Sequence, residues 1–188
     1  STNVLVPELS IITNIGMDHV QFLGDSLEKI AFEKAGIIKT GVPVIIGQTH
    51  PKTQKVFQEV ALGQKAPIVF ADQHVKILPK ACHYNPDIGS KMGYTVSFEG
   101  RQEEVSLDLL GKYQAQNLPA IWLAGQQLVK MGVDMSMENF KNGLADIVKN
   151  TGLKGRWQIL STNPLIICDT GHNIDGITSI LEQIKSIR

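Results

Sequence analysis

The sequence has few cysteines, no net charge and no long apolar run. Its two cysteines, Cys82 and Cys168, lie far apart and form no C-x-x-C pair, which argues against a disulfide framework or a zinc site. The eighteen basic and eighteen acidic residues cancel, so neither a nucleic-acid partner nor a membrane-surface partner is indicated. No apolar run reaches membrane-spanning length, and no signal peptide is recognised. We therefore expect a protein of the reducing cytoplasm.

The sequence also lacks an initiating methionine, since it begins at Ser1. Its 188 residues suffice for one good domain and part of a second. An apolar share of 43% and a charged share of 19% are ordinary for a globular protein. We therefore expect a fragment of a longer protein.

The stretch from residue 10 to residue 36 organises the rest of the chain. Ser10 to Ile15 is short, apolar and β-branched, which predicts a buried strand. The chain leaves the carboxyl end of this strand through residues 16–19, and ligands bind at that edge of an open α/β sheet. A helix follows, with Asp25 as its predicted cap and Gly36 as its end.

A lysine occupies an inward position of this helix. Leu27, Ile30, Ala31 and Lys34 fall at i, i+3, i+4 and i+7, the spacing of a core-facing stripe. Burial disfavours the charged form of a lysine, and a neutral amine can add carbon dioxide. The resulting carbamate can bind a hard cation such as Mg2+. On the helix alone we favour the alternative, in which Lys34 extends along apolar surface and pairs with a neighbouring carboxylate.

His19 lies in the loop between the strand and this helix, beside Asp18. By itself, a loop histidine is more often structural than a ligand. Because it follows a strand edge and precedes a helix with an inward lysine, it becomes a candidate metal ligand.

Residues 13–37 resemble the central signature of the folylpolyglutamate synthase and dihydrofolate synthase family, within the Mur ligase superfamily of ATP-dependent amide-bond ligases. The match is long and ungapped, and it reads TNIGMDHVQFLGDSLEKIAFEKAGI. It implies that His19 binds Mg2+ and that Lys34 is the family's carbamylated lysine, which supports the metals and the acyl phosphate. It also implies that Ser1 stands at the tail of a pterin-contacting loop; a frayed terminus is the alternative for this residue.

Short strands alternating with helices predict a parallel sheet at the start of the chain. After the first strand and helix, residues 42–46 and 67–70 have the composition of buried strands, with a helix from Pro51 to Leu62 between them. This β-α-β-α-β order is typical of a mostly parallel, doubly wound α/β fold. Residues 72–110 contain a hairpin after a predicted loop from Cys82 to Gly93. We interpret that section as an antiparallel extension of the sheet.

A long helix is predicted from Ala115 to Met131. The run at its start, GKYQAQN, resembles the family's Gly-x-His-Gln-x-x-Asn. The resemblance implies that Asn117 contacts the base or ribose of ATP; the alternative is a plain polar residue at a helix start. Tyr113 stands where the family usually has histidine, and Leu118-Pro119 replaces the usual alanines.

The end of the chain predicts a domain boundary. A helix from Ser136 to Lys149 precedes the linker TGLKG, so we place the boundary between residues 152 and 153. By the same resemblance, residues 1–152 form the later part of a Mur ligase-type central ATPase domain, and residues 153–188 the start of a Rossmann-like C-terminal domain. A strand from Leu165 to Cys168 then leads into a last helix, residues 174–187.

The motifs of this second part resemble the family's Gly-Arg-x-Gln and Asp-Gly-Ala-His-Asn. An acidic residue at a strand end, followed by a glycine turn before a helix, suits a nucleotide-binding edge. The resemblance implies that Arg156 contacts the phosphates of ATP, that Asp169 holds the nucleotide and that His172 lies near the incoming glutamate. Thr170-Gly171 replaces the family's Gly-Ala.

The P-loop pattern G-x-x-x-x-G-K-[ST] is absent from this sequence. In the family it lies upstream of the segments matched here, so the chain corresponds to less than half of a typical member. We expect no ligase activity from these residues alone.

The resemblance implies an enzyme of folate biosynthesis and one-carbon metabolism, which joins L-glutamate to dihydropteroate or to folates. ATP would phosphorylate the substrate carboxylate, and the amine of glutamate would attack the acyl phosphate while Mg2+ offsets charge. The family also implies a monomer. Whether the enzyme makes dihydrofolate, extends polyglutamate or does both stays open.

Two other functions remain as alternatives. A peptidoglycan Mur ligase shares the histidine, the lysine and the domain order, although the runs EKAGI and GRWQ favour the folate branch. A non-catalytic module that kept the fold without the P-loop belongs to another class.

Overall fold

The computed structural model describes residues 2–16, 26–83 and 89–186. They divide into two compact units. The first unit is Ser1–Val75 with Gln116–Gln127, and the second is Lys76–Ala115 with Leu128–Arg188. The predicted domain boundary between residues 152 and 153 stays a prediction.

Strands and helices alternate in the first half of the chain, and the second half adds two antiparallel pairs. In chain order the elements of the described residues are β1 (Ser10–Ile12), α1 (Leu27–Ala35), β2 (Val44–Ile46), α2 (Pro51–Gly63), β3 (Ile68–Phe70), α3 (Ala71–His74), β4 (Val75–His83), β5 (Lys91–Phe98), β6 (Arg101–Leu107), α4 (Gln114–Lys130), α5 (Met137–Ala145), α6 (Ile147–Thr151), β7 (Gln158–Thr162), β8 (Leu165–Cys168) and α7 (Ile174–Ser186).

The first unit contains the predicted parallel sheet. β2 lies between β1 and β3 and pairs in parallel with both, with Ser10 opposite Val44 and Val44 opposite Ile68. Each strand is three residues long, so β1 ends at Ile12 and not at the predicted Ile15. The mixed α/β class predicted from the sequence is confirmed.

Helices α1 and α2 pack on this sheet through small and aromatic side chains. The buried residues that form one cluster across these elements are Ile12, Ala31, Ala35, Ile38, Val44, Ile46, Phe57, Ala61, Ala66 and Phe70. Phe57 is fully buried, and burial of one such side chain stabilises a fold by about 1.5–3 kcal/mol.

Helix α1 is capped by Ser26, and the predicted cap at Asp25 is wrong by one residue. The backbone of Ser26 is extended, and its hydroxyl accepts a hydrogen bond of 3.3 Å from the Lys29 N–H. A serine at this position satisfies one of the amide groups left open at a helix start. Asp25 itself lies outside the described residues. Gly36 follows the last helical residue, as predicted.

The second unit contains the predicted hairpin. β5 and β6 pair antiparallel, with Phe98 opposite Arg101 across the two turn residues. Glu99 and Gly100 both have positive φ, of 49° and 74°, which matches the turn that suits the twist of a two-residue hairpin. Within the described residues, β4, β5 and β6 form a sheet of three strands, hydrogen-bonded separately from β1–β3.

The loop predicted from Cys82 to Gly93 is wrong at both ends. β4 continues to His83, and β5 begins at Lys91. The residues between 83 and 89 lie outside the described part of the chain. β4 has no periodic apolar pattern, because Pro79 and Lys80 interrupt its apolar positions.

The helix predicted from Ser136 to Lys149 is two helices. Ser136 caps α5 as predicted, through a 3.0 Å hydrogen bond from the Asn139 N–H. Asp146 then leaves the helical conformation, with φ −129° and ψ 38°. The Val148 N–H of α6 donates instead to Asp108 Oδ2 at 2.8 Å. The Asp108 side chain therefore accepts the hydrogen bond that a backbone carbonyl would accept in a continuous helix.

The last elements are the β7–β8 hairpin and α7. β7 was not predicted; it pairs antiparallel with β8, with Thr162 opposite Leu165. α7 begins at Ile174, as expected, and is described to Ser186. Within the described ranges, no helix combines the length and apolarity that crossing a bilayer requires.

Candidate functional site

Asp169 is the centre of a hydrogen-bonded cluster in the second unit. It follows β8 directly, and three donors from different positions meet at its carboxylate. Its Oδ2 accepts from the Tyr113 hydroxyl at 2.7 Å and from the Trp157 N–H at 2.7 Å. Its Oδ1 accepts from the Gly171 N–H at 2.8 Å. Because three hydrogen bonds hold both oxygens, the side chain has a fixed direction.

Arg156 lies in a turn whose two neighbours are both fastened to this cluster. Gly155 and Trp157 have positive φ, of 69° and 50°. The Gly155 carbonyl accepts from the Thr170 N–H at 2.8 Å, and the Trp157 N–H donates to Asp169. Arg156 itself is exposed. The backbone on each side of the guanidinium is therefore held while the side chain faces solvent.

Gly155 is required by close approach as well as by its φ. A Cβ at this position would lie 2.7 Å from Thr170 Cγ2. Trp157 is 4% exposed, so the indole anchors the other end of the turn in the interior of the unit. The Gln158 side chain closes the turn by accepting from the Gly155 N–H at 3.0 Å.

Tyr113 is half-buried and is placed by its own neighbours. Its ring packs against Gly111, where an added Cβ would lie 2.5 Å from Tyr113 Cε1. Burial raises the pKa of Tyr113 above its ordinary range, and the hydrogen bond to Asp169 and the charge of that carboxylate raise it further, whereas the charge of Arg156 opposes the rise. The hydroxyl therefore stays protonated and acts as a donor.

Gln183 of α7 fixes the segment that leads to Tyr113. Its side chain is 5% exposed. Its Oε1 accepts from the Lys112 N–H at 2.7 Å, and its Nε2 donates to the Leu110 carbonyl at 2.8 Å. A single amide thus satisfies a backbone donor and a backbone acceptor, which would be costly to bury unpaired.

His172 lies next to the cluster along the chain. It is exposed, and its Nδ1 lies 3.0 Å from the Thr170 carbonyl oxygen. Gly171 separates it in sequence from Thr170, and the Gly171 N–H is one of the three donors to Asp169. The structure therefore brings four of the discussed residues into the second unit: Tyr113, Arg156, Asp169 and His172.

The remaining predicted site residues are in the first unit or outside the described part. Lys34 is half-buried on α1, next to the buried Ala35, and Asn117 is half-buried on α4. His19 and Ser1 lie outside the described residues, so their predicted roles stay predictions. In the ranges that the structure describes, no three His, Cys, Asp or Glu side chains are grouped so that they could hold a metal ion.

A cavity of about 570 Å³ borders the Arg156 turn. Its lining includes Lys91, Asp108, Asp146, Arg156 and Trp157. Lys91 Nζ lies 3.0 Å from Asp146 Oδ1. Among the described residues, the Asp108 Oδ1 atom is buried without a hydrogen-bond partner. The space beside the turn is thus lined by charges of both signs.

Sequence reasoning missed the residues that support Arg156 and Asp169. Trp157 was noticed only within a motif, and Tyr113 only as a departure from a family pattern. Gln183 carried a usable signal, because it stands between Ile180 and Ile184 on the apolar side of α7. No local signal joins Tyr113 to Asp169, since 56 residues separate them.

Comparison with known proteins gives one family for most of the chain. Residues 1–125 match the Mur ligase middle domain. The chain is 32% identical over 189 residues to a dihydrofolate synthase/folylpolyglutamate synthase of Bacillus subtilis, covering 98% of this chain and 41% of that protein. It is 30% identical over 188 residues to a folylpolyglutamate synthase of Lacticaseibacillus casei, covering 100% of this chain and 42% of that protein.

Solved structures agree with the fold. An FPGS–AMPPCP–folate complex matches with a TM-score of 0.83 and 26% identity, covering 99% of this chain and 44% of that one. The chain therefore spans less than half the length of the relatives it matches. The family match extends from before β1 into α4, so it includes the whole parallel sheet and the positions of Lys34 and Asn117. On this basis the chain belongs to the Mur ligase middle domain family.

Proposed function

We propose that this chain is part of an ATP-dependent ligase that joins L-glutamate to dihydropteroate or to folates through an acyl phosphate. The observation that supports this most strongly is the extent of the match to two relatives named for this activity, which covers 98% and 100% of the chain. The match therefore includes the Arg156 turn and Asp169 as well as the parallel sheet. A structure with AMPPCP and folate among the relatives fits the same substrates.

The second unit fits a nucleotide through Arg156. A guanidinium donates five N–H groups in a planar fork that suits phosphate oxygens. Here that group is exposed on a turn whose neighbours are fixed at Gly155 and Trp157. Bound ATP would supply the phosphoryl group that activates the substrate carboxylate. Arg156 would bind and orient the phosphates, and its fixed backbone would lower the entropy lost on binding.

Asp169 and His172 would act beside Arg156. Asp169 already accepts three hydrogen bonds, and a carboxylate has about four lone-pair sites. One site on Oδ1 is left for a nucleotide hydroxyl. The exposed His172 would orient the incoming glutamate, in a position set by its contact with the Thr170 carbonyl.

The proposal for the first unit follows the family resemblance. Asn117 would contact the base or ribose, Ser1 would belong to a pterin-contacting loop, and His19 with carbamylated Lys34 would hold Mg2+. The half-buried position of Lys34 on α1 is compatible with that role. The described residues contain no group of three His, Cys, Asp or Glu side chains that could hold a metal ion. The proposal includes a cytoplasmic monomer.

Two alternatives predict different substrates. A peptidoglycan Mur ligase would use UDP-linked muropeptides. A non-catalytic module would turn over neither the muropeptides nor the pterin substrates. The full-length gene product should be assayed for ADP release with ATP, glutamate and either dihydropteroate, folate or a UDP-linked muropeptide. We expect release only with the pterin substrates. Release with the muropeptide alone would favour the first alternative, and no release with any substrate would favour the second.

A further inference from the structure

The carboxylate of Asp169 joins two chain segments that are far apart in sequence. Its Oδ2 accepts both the Tyr113 hydroxyl and the Trp157 N–H, each at 2.7 Å. One oxygen atom therefore connects the residue before α4 with the turn that presents Arg156. We propose that Tyr113 is a positioning residue for nucleotide binding, acting through Asp169 on the Arg156 turn; this inference rests on the proposed function.

Tyr113 has little conformational freedom of its own. Gly111 leaves room for the ring, since any Cβ there would lie 2.5 Å from Tyr113 Cε1. Gln183 holds the preceding backbone through Lys112 and Leu110, at 2.7 and 2.8 Å. The Tyr113 hydroxyl therefore reaches Asp169 from a ring and a backbone that are both held in place.

Asp169 holds the turn through its carboxylate, which accepts from the Trp157 N–H. An Asp side chain rotates about two bonds, and each of its hydrogen bonds limits that rotation. Gly171 fixes Oδ1 at 2.8 Å, and Tyr113 and Trp157 share Oδ2. Without the Tyr113 hydroxyl, the hydrogen bond from the Trp157 N–H remains at Oδ2, and water enters the vacated site.

The backbone of the turn sets the position of the Arg156 side chain. Trp157 has a φ of 50°, which a side-chain-bearing residue adopts only when its surroundings hold it there. The hydrogen bond from the Trp157 N–H to Asp169 is one such restraint, and the buried indole is another. If the Asp169 side chain is more mobile, the backbone beside Arg156 can relax. The guanidinium then extends from a backbone that is no longer held in place.

The first test uses this chain and needs no ligand. Tyr113→Phe keeps the ring against Gly111 and removes only the hydroxyl. We expect amide hydrogen exchange at Trp157 and Gly171 to become about tenfold faster, because the local opening that exposes them becomes easier. Tyr94→Phe is the matched control, since it removes a hydroxyl from another buried tyrosine of the same unit, which lies on β5. Exchange that is unchanged in Tyr113→Phe, or changed equally in Tyr94→Phe, would overturn the proposal.

The second test uses the full-length protein and a double-mutant cycle. Tyr113→Phe should raise the KM for ATP about tenfold, the effect of losing one hydrogen bond to a charged group, and leave the KM for the pterin substrate unchanged. Asp169→Asn alone should raise the KM for ATP further. The double variant should have the same KM for ATP as Asp169→Asn, because Tyr113 acts only through Asp169. If the two substitutions raise the KM for ATP by factors that multiply in the double variant, Tyr113 does not act through Asp169. If the wild-type protein shows no ligase activity, the proposed function fails while the exchange experiment still decides the role of Tyr113.

Discussion

At the scale of single residues, the candidate site depends on atoms that sequence motifs do not reveal. Arg156, Asp169 and His172 follow from a family pattern, and the structure places all three in one unit. What fixes them comes from Tyr113 and Gln183, which are separated from that pattern along the chain. Hydrogen bonds over such distances leave no periodic trace. The place of Gln183 on the apolar side of α7 indicates its burial, but not its partners Leu110 and Lys112.

Gly155 gives the sharpest stability prediction. Gly155→Ala places a Cβ 2.7 Å from Thr170 Cγ2 at a φ of 69°, whereas Gly152 has a φ of 67° and nothing within 4 Å of an added Cβ. Gly152→Ala should lose about 1 kcal/mol of unfolding free energy from left-handed backbone alone. Gly155→Ala should lose about 2–4 kcal/mol, since overpacking adds to that strain.

Urea denaturation of the two variants measures this difference. Thr170→Ser removes the clashing methyl group, so it should recover most of the extra loss when combined with Gly155→Ala. Equal losses for the two alanine variants would show that the close contact does not matter.

Lys34 is predicted to be used for its chemistry rather than for packing. Lys34→Ala in the full-length protein should lower ligase activity at least about 100-fold, the upper range for disturbed metal sites, with little loss of thermal stability. Lys34→Glu should be a poor substitute because its carboxylate is too short, and added short-chain acids should partly restore Lys34→Ala. The exposed Lys29 on the same helix supplies the control. Full activity of Lys34→Ala would remove the metal-supporting role.

At the scale of elements, local patterns predicted what local forces determine. The three parallel strands, α1, α2 and the β5–β6 hairpin follow from apolar runs and from glycine turns, and the structure has them. The break at Asp146 was missed because its cause is tertiary: Lys91 binds the Asp146 carboxylate, and Asp108 accepts from the Val148 N–H. β7 was missed because its polar ends leave two apolar residues, Ile159 and Leu160, too few for a periodic signal.

The Lys91–Asp146 pair at the helix break should make the free energy of unfolding fall as the pH is lowered into the acid range. The hydrogen bond from Lys91 holds the pKa of Asp146 below its usual value, and the charges of Lys91 and Lys149 add to this, although desolvation opposes it. A carboxyl with a lowered folded-state pKa stabilises the fold above its unfolded pKa, and loses that contribution as the pH falls through the folded value. Asp146→Asn should therefore be less stable than wild type at neutral pH, and the difference should shrink below about pH 4.

Thermal unfolding of both proteins across that range tests the prediction. Lys91→Met should show the same pH dependence, because it removes the other partner of the pair. A difference between wild type and Asp146→Asn that is constant with pH would contradict the assignment.

At the scale of the whole molecule, the fold class and the family followed from the sequence, whereas the division into two units did not. α4 contributes its middle to the first unit and its ends to the second, an arrangement that composition cannot show. The two relatives named as folylpolyglutamate synthases are more than twice as long as this chain. Activity is therefore a property to test in the full-length protein.

The 188-residue chain should bind ATP weakly. Its sequence contains no P-loop, so no backbone cradle of that kind is available for the phosphates, and the exposed Arg156 cannot replace it. We expect an ATP Kd no tighter than about 1 mM, or roughly 4 kcal/mol of binding free energy. Isothermal titration calorimetry measures this directly, and a micromolar Kd would show that the chain holds a complete nucleotide site.

The most direct measurement is glutamate transfer by the full-length protein, followed by mass spectrometry of the pterin product. With ATP present, wild type should add glutamate to dihydropteroate or to a folate. Arg156→Ala should lower that rate about 100-fold through lost phosphate binding, while Arg101→Ala, at the exposed start of β6, should not. Failure of the wild type to add glutamate, or an Arg156→Ala protein as active as wild type, would contradict the account.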